Sequence, residues 1–168
     1  MAMLQLKKTG LGSVIIILTL GLGAGCSSKS PKSDDASIPS AVDATESMMG
    51  DSDSNNAMGL KTVRFAFDSF SLDSQSKGDL KSNAEVLKGN SNLRVQIEGH
   101  CDSRGGIQYN IALGEKRANS VRSFLGDMGI SGDRITTISF GKERPIDPAE
   151  NESAYAKNRR ANFVITSK

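Results

Sequence analysis

Beyond residue 60 the apolar residues of this chain switch repeatedly between a period of two and a period near 3.6. Neither an all-helical nor an all-strand fold satisfies both. Residues 62–67 alternate, with Val63, Phe65 and Phe67 on one face, the pattern of a strand with one covered face. Ser74 or Ser76 then stands where a helix is capped, and Leu80, Ala84 and Leu87 follow at helical spacing. Leu93, Val95 and Ile97 alternate against Arg94, Gln96 and Glu98 in a second strand that ends at Gly99. A second helix is expected from about Asn110 to Met128, stopping before Gly129. Strands over 135–140 and 161–166 flank a short helix around 153–158. The order strand, helix, strand, helix, strand, short helix, strand predicts an α/β two-layer sandwich over residues 61–168.

The first 60 residues differ in kind. Lys7 and Lys8 precede an apolar run from Leu11 to Leu22 that only Gly, Ser and Thr interrupt. About a dozen apolar residues fall short of the roughly 20 that a helix needs to cross a bilayer. With a basic flank and the small residues Gly23, Ala24 and Gly25, residues 1–25 read as an export signal that is removed. Cys26 follows directly, and the junction resembles the lipobox of bacterial lipoproteins, whose Cys becomes the acylated first residue. Gly23 stands where such boxes usually carry Leu, with Leu22 one place earlier. Ser27 rather than Asp after the Cys implies, by the same resemblance, sorting to the outer membrane. Residues 26–60, rich in Ser, Asp, Asn and Ala with Pro31 and Pro39, are expected to be the lipidated Cys and a flexible linker. Stretched, that linker reaches at most about 110–120 Å.

A net charge of +2 and the absence of Trp argue against a nucleic-acid partner. His100 is the sole histidine, which excludes a multi-histidine metal centre, and no metal or cofactor is expected. With Cys26 acylated, Cys101 has no partner for an intrachain disulfide.

Two features do not fit a simple amphipathic pattern. On a helical wheel at about 100° per residue, Ile111, Leu113, Ala118, Val121, Phe124, Leu125 and Met128 form one arc, and Arg117 projects inside it. A guanidinium there needs a fixed anion. That anion is either an acidic side chain of the domain or the carboxylate or phosphate of a ligand, to which Arg offers a planar fork. The second feature is the run Gly99 to Gly106, a glycine-rich loop carrying Asp102 at the end of a strand, where ligand sites are common. Asp102 is placed to accept from Arg117 or from a ligand ammonium, with Asp68 on the same rim. Two carboxylates and one Arg around a cleft suit a zwitterion.

Gly99-His100-Cys101-Asp102, Tyr109-Asn110, Leu113-Gly114-Glu115-Lys116-Arg117-Ala118 and Asn158-Arg159-Arg160 together resemble the peptidoglycan-binding domain family shared with outer-membrane protein A. Phe65-Ala66-Phe67-Asp68 and the run from Phe140 to Pro145 extend the match, with Phe140 where the family usually has Tyr. The resemblance implies a four-stranded sheet with helices packed on one face. It also implies an outer-membrane lipoprotein, its domain in the periplasm, that binds the diaminopimelate side chain of the peptidoglycan stem peptide without covalent chemistry. On that reading Asp102 and Arg117 contact the ligand's amine-and-carboxylate end. Phe67 and Asp68 line the pocket, and Asn110 and Leu113 position its wall. Asn158 and Arg160 stabilise the domain, and Cys101 is a buried filler. A TolB-like periplasmic propeller is the implied protein partner. The alternatives are a wall anchor of another envelope complex and a wall hydrolase. The hydrolase is disfavoured because His100 and Cys101, neighbours at a strand end, point to opposite faces.

Cys26→Ala is expected to move the protein from the membrane fraction to the soluble periplasmic fraction on fractionation of cells. Unchanged membrane retention would refute the lipid anchor.

Overall fold

A computed structural model describes residues 49–168. The export signal, Cys26 and residues 26–48 of the expected linker lie outside the described residues. The elements are β1 (Val63–Arg64), α1 (Ser74–Gly89), β2 (Arg94–His100), α2 (Ile107–Asp127), a short 3₁₀ turn (Gly132–Arg134), β3 (Ile135–Gly141), α3 (Glu152–Asn158) and β4 (Arg160–Ser167). The strands form one mixed sheet in the order β1-β4-β2-β3, with β2 and β3 parallel and β4 antiparallel to both its neighbours.

The period-two strands place Val95 and Ile97 of β2 on the same face as Ala161, Phe163 and Ile165 of β4. Leu80, Ala84 and Leu87 of α1 and Ala118, Val121 and Leu125 of α2 close over that face to form the core. Each buried Val, Leu, Ile or Phe side chain among them contributes about 1.5–3 kcal/mol. The expected two-layer sandwich, with helices on one face, is the observed architecture.

Local differences have identifiable causes. The cap of α1 is Asp73, whose carboxylate accepts from the Ser76 amide at 2.7 Å, so neither Ser74 nor Ser76 is the capping residue. Helix α2 begins at Ile107, about three residues before its expected start, because its cap is Gly106 and no side chain marks the boundary. β1 is two residues long, since the chain leaves the sheet after Phe65 and turns at Asp68, whose φ is +51°.

The larger correction concerns the linker, expected to run to residue 60. Its last part, residues 49–60, belongs to the domain. Met49 and Ser52 donate to Ile165 and Phe163 carbonyls at 3.1 and 2.9 Å, Ile165 donates to the Gly50 carbonyl at 2.9 Å, and Ala57 and Leu60 are buried in the core. The edge of β4 is thus covered in two pieces, by β1 near its start and by residues 49–52 near its end.

Helix α2 is held close to β2 by two glycines. A Cβ on Gly99 would lie 1.9 Å from the Gly114 carbonyl oxygen, and one on Gly114 would lie 2.3 Å from Ser139 Oγ. Gly99→Ala must push α2 off the sheet. It is expected to lower stability by about 2–3 kcal/mol in chemical denaturation, whereas an unchanged midpoint would show that the two backbones have room to spare.

Candidate functional site

The sequence that follows β1 and the sequence that follows β2 meet the first half of α2 at one end of the sheet. They enclose a cleft of about 180 Å³ lined by Phe67, Asp68, Cys101, Asp102, Arg104, Gly105, Tyr109, Asn110, Leu113, Arg117 and Arg159. All six residues expected to contact or shape a ligand site are therefore brought together: Phe67, Asp68, Asp102, Asn110, Leu113 and Arg117.

Arg117 is only 1 % exposed. Its Nε donates to the Ser69 carbonyl at 2.8 Å, Nη1 to the His100 carbonyl at 2.8 Å and Nη2 to the Ala66 carbonyl at 3.1 Å. Nη1 also lies 3.4 Å from Cys101 Sγ, and the Phe65 ring centroid is 5.2 Å from Cζ. The guanidinium thereby pins the 66–69 turn to the end of β2. No carboxylate among the described residues forms an ion pair with it. Backbone carbonyls solvate the charge without neutralising it. Burial pulls the Arg117 pKa below its ordinary value, with the nearby thiol and Asp102 acting in the opposite direction.

Of the two partners open to Asp102, Arg117 and a ligand ammonium, Arg117 is not in contact with it. Asp102 is held instead by two other arginines. Its Oδ1 accepts from Arg104 Nε and the Arg104 amide, each at 3.2 Å. Its Oδ2 accepts from Arg104 Nη2 at 2.7 Å and Arg159 Nη1 at 3.3 Å. A carboxylate has about four acceptor positions, and here all are filled. Burial opposes the Asp102 charge, but the Arg104 side chain and backbone bonds and the Arg159 bond outweigh it and hold the pKa below the usual range.

Arg104 projects over the cleft mouth, with its Cζ 4.1 Å from the Phe67 ring centroid and 4.4 Å from that of Tyr155. Arg159 is tied more tightly, donating to the Phe65 carbonyl at 3.1 Å and to Glu152 Oε1 at 2.8 Å. Their side chains are 36 % and 8 % exposed, so Arg104 is the one with freedom to move. Asp68 carries a single hydrogen bond, from the Tyr109 hydroxyl, and keeps acceptor positions open to the cleft. Phe67 is 60 % exposed on the rim. Asn110 is buried and donates to the Arg104 and Gly106 carbonyls at 2.8 and 3.1 Å, which shapes the loop rather than the cleft surface. Leu113 forms apolar wall.

Sequence reasoning missed Arg104 and Arg159. Arg159 lies inside the Asn158-Arg159-Arg160 motif, in which no sequence signal separates it from its neighbours. Asn158 indeed stays away from the cleft, bonding the backbone of Ile146 and Asp147, and Arg160 pairs with Asp53 on the other side of the sheet at 2.7 Å. Cys101 is a buried thiol donating to the Asn110 carbonyl at 3.3 Å, and burial pushes its pKa up. His100 faces the opposite way, with Nε2 3.4 Å from Glu98 Oε2 and its ring stacked on Phe140. The two are not arranged as a nucleophile and its base.

Residues 64–159 match the OmpA family. A peptidoglycan-associated lipoprotein of Agrobacterium fabrum is 32 % identical over 165 residues, which cover 98 % of this chain and 93 % of that protein. One from Buchnera aphidicola is 41 % identical over 103 residues, 61 % of this chain and 60 % of its own length, so the matched region spans about three fifths of that relative. Among solved structures, the peptidoglycan-associated lipoprotein from Burkholderia pseudomallei is 38 % identical, with a TM-score of 0.60 over 62 % of this chain and 88 % of that one. The periplasmic domain of Helicobacter pylori MotB, at 16 % identity and a TM-score of 0.56, shares the fold alone.

The lowered Asp102 pKa has a pH consequence. Its stabilising contribution is complete above the unfolded-state value of about 3.9 and is lost as pH falls through the lower folded-state value. The stability difference between the wild type and Asp102→Asn is therefore expected to be constant near neutrality and to close below about pH 4 in denaturant titrations. A difference that persists unchanged to pH 2 would contradict the assigned bonds.

Proposed function

The chain belongs to the OmpA family, and we propose that it is an outer-membrane lipoprotein, acylated at Cys26, whose periplasmic domain binds the diaminopimelate side chain of peptidoglycan. The observation that carries this reading is the buried Arg117 guanidinium, which opens onto the cleft with no carboxylate partner among the described residues. Arg104 and Arg159 are balanced by Asp102 and Glu152, so the uncompensated positive charge of the cleft is that of Arg117. It receives the ligand's carboxylate. Asp68, with acceptor positions open, receives the ammonium first, and Asp102 gains a share of it when Arg104 turns aside.

Each charge-assisted hydrogen bond of this kind is worth about 1.5–3 kcal/mol, so one site binds modestly. The wall presents many equivalent sites, and rebinding keeps the domain at the polymer. Binding requires no bond to be made or broken, and the protein acts as a tether rather than an enzyme. Exposed Phe67 and Tyr109 on the cleft, with exposed Phe70 and Ile107 near them in sequence, offer apolar area to a protein partner, for which a TolB-like propeller of the Tol system is the proposal.

Pull-down on purified sacculi tests the site. Asp68→Asn keeps the exposed turn, since Asn also tolerates positive φ. It is expected to weaken binding at least about tenfold, as is Arg117→Gln in a form shown by circular dichroism to be folded. Sacculi bearing Lys in place of diaminopimelate lack the carboxylate for Arg117 and are expected to retain little protein. Full binding by both variants would overturn the assignment.

A further inference from the structure

The N-terminal segment that the sequence did not mark as part of the domain is attached in a particular direction. The cleft lies where β2 ends, at His100–Asp102, and where β4 begins, at Arg160. Residue Met49 pairs with Ile165, at the other end of β4, which is also where β2 starts, Val95 being opposite Ile165. Five residue steps along β4 lead from Arg160 to Ile165, about 17 Å of strand. Whatever pulls on the chain ahead of residue 49 therefore pulls away from the cleft, along the strands.

Residues 49–52 run antiparallel to β4, toward the cleft. Their bonds, Met49 N to Ile165 O at 3.1 Å, Ile165 N to Gly50 O at 2.9 Å and Ser52 N to Phe163 O at 2.9 Å, lie across the strand direction. Tension along the strand loads them together rather than one after another. A second row follows on the face of the sheet opposite the helices. Ser52 Oγ donates to Asn162 Oδ1 at 2.8 Å and accepts from the Phe163 amide at 2.9 Å. Asp53 accepts from Arg160 Nε at 2.7 Å and from Thr62 Oγ1 at 2.8 Å, with the Arg160 side chain 3 % exposed. Asn162 Nδ2 in turn donates to Glu98 Oε2 at 3.0 Å, joining this row to β2, whose end carries the cleft. Behind the two rows, Ala57 and Leu60 are seated in the core.

We propose that residues 49–53 form a mechanical latch that carries tension from the preceding chain into β4 and β2, and so to the cleft, in shear. Only the origin of the tension, a membrane at one end and a wall at the other, rests on the proposed function; the direction of the latch does not. The pairing of Asp53 with Arg160 is the ionic contact of the latch and lies at its cleft-proximal end. It takes load after the backbone bonds of residues 49–52 begin to strain.

Single-molecule pulling tests this on the full chain carrying Cys26→Ser, with one handle on an N-terminal tag and the other at Ser103→Cys beside the cleft or at Lys168→Cys. The buried Cys101 is left unlabelled under native conditions. Pulling toward Ser103 shears the latch, whereas pulling toward Lys168, next to the end of β4 where Met49 is paired, peels it from Met49 inward. The rupture force is expected to be higher in the first geometry, because the bonds, perpendicular to the strand, then fail together. Asp53→Ala is expected to lower that force and leave the peeling force unchanged. Equal forces in the two geometries, or an equal loss in both on Asp53→Ala, would overturn the latch. Unloaded sacculus binding by Asp53→Ala is expected to match the wild type, so failure of the wall-binding reading shows in the pull-down and not in the force asymmetry.

Discussion

A guanidinium removed from water and surrounded by backbone carbonyls organises this domain's functional end. Arg117 sits in the apolar arc of α2, where an unsatisfied charge would be very costly. Three carbonyls, from Ala66, Ser69 and His100, meet it, and they come from two segments far apart in the chain. The turn after β1 and the end of β2 are consequently fixed to one helix, and the cleft is the space between them. Because carbonyl oxygens carry no net charge, the guanidinium remains a cation in a site of low dielectric constant, where attraction for an anion is strong. The same contacts that make Arg117 structural leave it chemically available.

The acidic side of the cleft follows a complementary logic. Asp102 is saturated by Arg104 and Arg159 and serves to hold them, while Asp68 stands on a turn with positive φ and one hydrogen bond. One carboxylate builds the wall, and the other keeps acceptor positions open to the cleft. The close approach of Gly99 and Gly114 sets the depth of the site, since any side chain at either place would lift α2 away. On the other face of the sheet, a polar row from Asp53 and Ser52 through Asn162 to Glu98 and His100 ties the incoming chain to the strand that carries the cleft.

Much of this was legible in the sequence because it depends on local periodicity. Alternation at Leu93, Val95 and Ile97 and helical spacing at Leu80, Ala84 and Leu87 mark the observed elements, and the misplaced Arg117 points to the cleft. What escaped depends on contacts distant in sequence. Residues 49–60 contain few apolar groups, and their attachment through Asp53 to Arg160 and Ser52 to Asn162 leaves no periodic trace. The partners of Asp102 were missed for a related reason: a motif identifies neighbours along the chain, but only the turn of β4 away from α3 decides that Arg159, and not Arg160, reaches the cleft. Helix α2 began early because its cap is a glycine, which announces no boundary.

The unneutralised Arg117 charge is expected to select a carboxylate. Titration calorimetry of the protein with a soluble stem peptide ending in free diaminopimelate, beside the same peptide with the side-chain carboxylate amidated, measures this directly. Amidation, which removes the charge but preserves size and the neighbouring ammonium, is expected to weaken binding at least about tenfold. Equal affinity for the two peptides would contradict it.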